Sequence, residues 1–126
     1  MAMAEVRSPL GLPGRRRLKT GRDFTAIKDK GRRIVRGCLI ANWLPSASDV
    51  PSRLGVITSR RIGGAVIRNR ARRLMREAFR LHQNDLTKGV QLVLVARPSI
   101  AGKMFAVVER DFLLAMRDAK LLKASV

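Results

Sequence analysis

A single cysteine, Cys38, means that no disulfide can staple this chain internally, and it suits a reducing cytoplasm. Nothing beside Cys38 makes it a nucleophile or a metal ligand, so a small buried strand residue is expected. Tyrosine is absent, and four Phe and one Trp are the only aromatics. Extensive base stacking is therefore not the expected way of holding a polynucleotide. Acidic residues are scarce: nine Asp and Glu stand against 27 Lys and Arg, for a formal charge of +18. Asp23, Asp29, Asp49, Asp85, Asp111 and Asp118 are scattered in separate local contexts, which disfavours a two-metal nuclease. No HExxH, CxxC, Ser/His/Asp or GxxxxGK[ST] pattern occurs. No apolar run approaches the roughly 20 residues of a membrane span, and the N-terminus lacks an apolar signal segment.

What remains is a strongly basic chain of 126 residues, enough for one domain with one core. Such a field draws phosphates from a distance. The charge is concentrated in the stretch from Ile62 to Arg80, which reads as one amphipathic helix entered through the basic turn Arg60-Arg61-Ile62-Gly63-Gly64. With Ile67 at zero and 100° per residue, Ala71, Leu74, Ala78 and Leu81 fall within about 40°, and Met75 lies near about 80°. Asn69, Arg72, Arg73, Arg76 and Arg80 cluster opposite. Arg68 and Phe79 take one shoulder, Arg70 and Glu77 the other. Arg68, Arg72, Arg76 and Arg80 form an i,i+4 ladder of like charge with only Glu77 in opposition. Solvated faces usually mix signs because such ladders repel, so this one points to a polyanion. The glycine pair is either a plain turn or a means of bringing backbone N–H groups close to a phosphate.

The rest of the chain supplies a scaffold. Residues 1–14 hold Pro9, Gly11, Pro13 and Gly14 without a period and read as a flexible arm. Arg15, Arg16, Arg17 and Lys19 follow, as a basic tail or as an arm that settles on a phosphate backbone. A short helix starts at Thr20 or Gly21, runs through Phe24, Ile27 and Lys28, and ends at Lys30-Gly31. Ile34-Val35 is a short strand broken by Gly37, and residues 38–44 a better one. A polar connection over 45–52 is short enough to join antiparallel strands. Residues 54–59 form the next strand. His82, the only histidine, is expected at the surface near the helix end. Val90–Ala96 is nearly continuously apolar and reads as a strand buried on both faces, parallel to 54–59 across the basic helix. A last helix covers 104–121, and Leu121-Leu122 extends it. The fold expected is α/β (α+β), ordered α-β-β-β-α-β-α around a four-stranded sheet, with residues 15–122 as the domain and 123–126 as a tail.

On these residues a nucleic-acid-binding module outranks a self-sufficient enzyme. A strand and two glycines precede the basic helix, which disfavours a helix-turn-helix DNA reader. A small RNA binder of ribosomal type remains compatible.

One run is more specific than its charge: Leu54-Gly55-Val56, then Ser59-Arg60-Arg61-Ile62-Gly63, then Ala65-Val66, Arg68-Asn69-Arg70, Arg72-Arg73-Leu74 and Arg76-Glu77-Ala78-Phe79. It resembles the protein subunit of bacterial ribonuclease P. Arg17-Leu18, Asp23-Phe24, Gly31 and Val93–Arg97 extend the resemblance over roughly residues 15–118. The resemblance implies a left-handed βαβ crossover, against the usual hand. It also implies a large catalytic RNA as partner, precursor tRNA as substrate, and hydrolytic removal of the 5′ leader. Mg²⁺ at the RNA active site would serve the chemistry, with no catalytic residue and no organic cofactor on the protein. By position, Arg60, Arg61, Arg68, Asn69, Arg70, Arg72, Arg73 and Arg76 would face the catalytic RNA. Phe24 would line a cleft for the leader, together with Arg17, Lys28 and Trp43. A monomeric, cytoplasmic protein with no membrane partner is expected. Lys28 departs from the family pattern where a second aromatic is frequent. Gly64, Gln91 and Phe105 stand where a polar or basic residue, an Asp and a Tyr are common.

Overall fold

The computed structural model describes residues 17, 21–45, 51–87 and 89–123. The arm expected at 1–14 lies outside them. The elements run α1 (Gly21–Lys30), β1 (Arg32–Arg36), β2 (Leu39–Pro45), β3 (Arg53–Ile57), α2 (Ala65–His82), β4 (Val90–Ala96) and α3 (Phe105–Asp118).

β1 and β2 form an antiparallel hairpin in which Arg36 faces Leu39 across the two-residue turn Gly37-Cys38. Gly37 has φ 55°, a conformation open to glycine and costly for most other residues. β4 pairs antiparallel with β2 and parallel with β3, giving the strand order β1-β2-β4-β3. Thus β2 and β3, expected as joined neighbours, are separated by β4. Its apolar run fills the middle of the sheet, where both faces are covered.

Strand alternation divides the core. Leu39, Ala41 and Trp43 of β2, Leu54 of β3, and Leu92 and Leu94 of β4 join residues of α2 and α3 in the main core. On the other face Ile27 of α1 and Val93 are buried, with Phe24, Leu44 and Val95 packed against them. Two long helices cover one face and one short helix covers part of the other.

α2 departs from the expected phase and start. Arg60–Ile62 is a separate 3-10 turn with Ile62 buried, and the α-helix begins only at Ala65. Its buried residues are Ala71, Met75, Ala78 and Phe79, whereas Ile67 and Leu81 are exposed. The buried arc is therefore rotated by about 65° from an arc centred on Ile67. Phe79 decides the rotation: it is fully buried, and a side chain of that size contributes about 1.5–3 kcal/mol through burial.

α3 buries Val108, Phe112, Ala115 and Met116. It stops at Asp118, because Lys120 takes φ 61° and the Leu121 N–H donates back to the Met116 carbonyl. Leu121-Leu122 consequently leaves the helix. Leu122 bridges to Leu86, and the Lys123 N–H donates to the Asp85 carbonyl.

Candidate nucleic-acid interface

The α2 arginines fall into two sets. Arg68 donates to the Gly63 carbonyl at 2.9 Å, and Arg72 donates to Thr58 Oγ1 at 2.5 Å and to Asn69 Oδ1. Arg80 forms a two-pronged pair with Glu77 at 2.8 and 2.6 Å. The Arg80–Glu77 and Arg72–Asn69 contacts lie within the helix, whereas its rotation carries Arg68, Arg72 and Arg76 toward the buried side, where they are half-buried. The like-charge ladder is thus partly relieved by the protein itself. Arg60, Arg61, Arg70 and Arg73 are exposed, and no hydrogen bond or ion pair engages them among the described residues. Asn69 stands exposed among them and steadies Arg72.

Arg76 is half-buried and close to other cations. Burial lowers its pKa, and the positive charges of Arg17 and Arg72 lower it further. A guanidinium in that position gains from an anion, whose paired oxygens match its fork of donors. Arg17 reaches this surface through a parallel bridge to Leu54. It does not line the groove expected for it, and its charge acts on α2 instead.

That groove, of about 580 Å³, runs between α1 and the sheet face opposite α2 and α3. α1 contributes Phe24, Ile27 and Lys28. Arg33 of β1, Ile40 and Asn42 of β2, Ile57 of β3, and Val93 and Val95 of β4 form the floor. Lys28 and Arg33 charge it positively, and no carboxylate lines it among the described residues. The surface is apolar enough to accept base faces and basic enough to follow a phosphate backbone.

Trp43 does not belong to this groove. It is 6% exposed and sits in the main core, because odd-numbered β2 residues point toward α2 and α3. Its neighbour Asn42 takes the groove position. Arg33 and Asn42 escaped the sequence reading. For Asn42 the alternation of β2 held the signal, but both faces of that strand carry apolar residues; Arg33 lies on β1 and is placed by its pairing with Asn42.

His82 is also less exposed than expected at a helix end. Its ring nitrogens lie within hydrogen-bond reach of two carboxylates that accept from it, Nε2 at 2.7 Å from Glu109 Oε2 and Nδ1 at 3.1 Å from Asp85 Oδ2, and the first joins α2 to α3. Among the described residues no three His, Cys, Asp or Glu side chains converge to hold a metal ion. Cys38 is buried, and burial together with Asp111 pushes its pKa up to about 12.

A model of the Ribonuclease P family matches residues 12–120. The chain is 36% identical over 105 residues to a ribonuclease P protein component from Syntrophomonas wolfei, covering 83% of this chain and 87% of that one. It is similar in structure to the RNase P protein from Thermotoga maritima, with TM-score 0.72 and 29% identity, over 80% of this chain and 96% of that one. The Staphylococcus aureus RNase P protein shares the fold at TM-score 0.78 and 23% identity, over 86% of this chain and 98% of that one.

Proposed function

The chain belongs to the ribonuclease P protein family, and from that premise we propose how its two surfaces divide the work. It serves as the protein subunit of the ribonucleoprotein that removes the 5′ leader from precursor tRNA, and the RNA subunit performs the hydrolysis.

The exposed arginines Arg60, Arg61, Arg70 and Arg73, with Asn69 and the crowded Arg76, seat the catalytic RNA. Arg68 and Arg72 shape that surface from its margin and present their remaining donors to it. The groove under α1 takes the single-stranded leader: Phe24 offers a ring to a base, and Lys28 and Arg33 attract the phosphates. Arg17 works with the α2 surface. Residues 15–122 act as the working domain, with 1–14 as an arm and 123–126 as a tail. Mg²⁺ belongs to the RNA, where it would neutralise phosphate charge and assist attack by water. This chain's contribution is binding, positioning and charge neutralisation. The protein joins the RNA as a monomer in the cytoplasm; no helix among the described residues is long and apolar enough to cross a membrane.

The observation that supports this reading best is the coexistence of two cationic surfaces on opposite sides of one sheet. One is rich in uncommitted guanidinium groups, and the other is a groove with apolar walls. Reconstitution with the large RNA tests it. The protein alone leaves precursor tRNA intact; with the RNA at low Mg²⁺ it stimulates cleavage and binds precursor more tightly than mature tRNA. Equal cleavage with and without the RNA would sink the division of labour.

A further inference from the structure

A second hollow lies apart from the groove, where the start of α2 meets the loop before α3. It measures about 350 Å³ and is lined by Ile67, Arg70, Ala71, Ile100, Ala101 and Gly102. Its volume is at the lower end of clefts that hold small ligands. Apolar side chains are unusually open around this end of α2: Val66 is 82% exposed and Ile67 41%. Met104, two residues past Gly102, is 72% exposed. Ile67 is outward because the helix is rotated to bury Phe79 and Met75.

Among the described residues Arg70 alone brings charge into the lining, and none of them pairs with it. Lys103 adds a second exposed cation in the adjoining loop, and no carboxylate lines the hollow among the described residues. An apolar floor with a flat, unpaired guanidinium fits one kind of group. Unstacked RNA bases are held on aromatic rings or on the planes of Arg side chains. No aromatic is available in this lining, so the Arg plane takes that part.

We infer that this hollow receives one unstacked nucleobase of the catalytic RNA, its face on the Arg70 guanidinium and its edge against Ile67 and the Ala101-Gly102 backbone. The inference rests on the α2 surface being the seat of that RNA, and adds a shape-reading contact to a surface otherwise driven by charge. It follows that part of the affinity here is insensitive to salt.

Binding of the full chain to the catalytic RNA, titrated against salt, separates the two kinds of contact. Arg70→Lys keeps the charge and loses the flat stacking surface; Ile67→Ser removes the apolar wall at an exposed position. Both are expected to weaken binding at least about fivefold, the scale of removing one base stack, with the salt slope unchanged and thermal melting close to wild type. Arg70→Ala is expected to lower the slope as well. Wild-type affinity for both Arg70→Lys and Ile67→Ser would overturn the base contact. Failure of the unaltered protein to bind the RNA would remove the α2 reading along with it, and so is recognisably different.

A second measurement does not depend on stability. A benzophenone on Met104→Cys should cross-link to one short unpaired segment of the RNA in the holoenzyme. Cys38 is buried with its pKa pushed up to about 12, so the label goes to the introduced thiol. Cross-links only to a second protein copy, or none to the RNA, overturn the inference.

Discussion

The Asp111 carboxylate of α3 accepts the backbone N–H of Cys38 at 3.0 Å, tying the last helix to the first hairpin turn across 73 positions. Burial alone would raise the Asp111 pKa, but the Cys38 N–H and Arg110 hold it below the ordinary value. Asp111→Ala leaves that N–H without its acceptor, and a loss of about 1–3 kcal/mol is expected. Because the folded pKa is depressed, the carboxylate's contribution is present above the unfolded value of 3.8 and fades as pH falls through the folded one. Urea unfolding of wild type and variant at neutral and acid pH checks both statements. Gly37→Ala should be damaging too, since its Cβ would run into the same carboxylate and φ is positive.

The two sets of α2 arginines predict two kinds of mutant. Arg73→Ala removes an exposed cation with no partner among the described residues. It should leave melting unchanged while reducing the log–log salt slope of RNA binding by about 0.7–0.9 for each phosphate it no longer neutralises. Arg72→Ala also removes the bonds to Thr58 and Asn69, so it should lower stability by about 0.5–1.5 kcal/mol. An Arg73→Ala protein with an unaltered slope would take that residue off the phosphate-contacting surface.

In the groove, Phe24→Ala is expected to weaken binding of precursor tRNA by about 1–3 kcal/mol, the range for one base stacked on a ring. Mature tRNA, which lacks the leader, should be unaffected. Arg33→Ala should weaken the precursor complex mainly at low salt. Equal losses for both tRNAs would instead show that Phe24 supports folding or general contacts. Trp43→Phe serves as the contrast, because Trp43 is buried away from the groove.

His82 makes stability depend on pH near neutrality. Burial disfavours its charged form, but the hydrogen bonds to Glu109 and Asp85 outweigh that and raise the pKa above 6.5. A raised folded pKa means that the stabilisation is fully present below pH 6.5 and is lost as pH rises through the folded value. His82→Gln should therefore be less stable than wild type at about pH 6, with the difference narrowing by about pH 8.5. Thermal melts across that range provide the check; a gap that widens with pH would contradict the sign.

Element order and the extent of β4 were legible because each depends on local pattern: an apolar run ended by Arg97-Pro98, or helix-forming stretches punctuated by glycine. The phase of α2 was less so. Ile67, Leu74, Met75, Phe79 and Leu81 span a wide arc, and the choice among them is made by the sheet and α3 rather than by α2. Trp43 and Asn42 illustrate the same limit in a strand. Alternation separates them, but only the number of helices on each face decides which one is core. Arg17 lies further from reach still, since its place beside Arg76 depends on a bridge to β3. Within the basic run the same limit applies: Arg60, Arg61, Arg70 and Arg73 are exposed, as charge usually is, whereas Arg68, Arg72 and Arg76 are drawn into half-buried positions that only the packed helix decides.

The central position of β4 also orders events in time. Among the described strands β3 pairs only with β4, so its sheet ladder cannot form before β4 is available, and α2 waits longer still for α3, on which it also packs. In the chain the arginine-rich helix precedes both β4, which fixes β3, and α3. The fold therefore closes over long sequence separations, and the arginine-bearing helix takes its final setting only when those later elements dock.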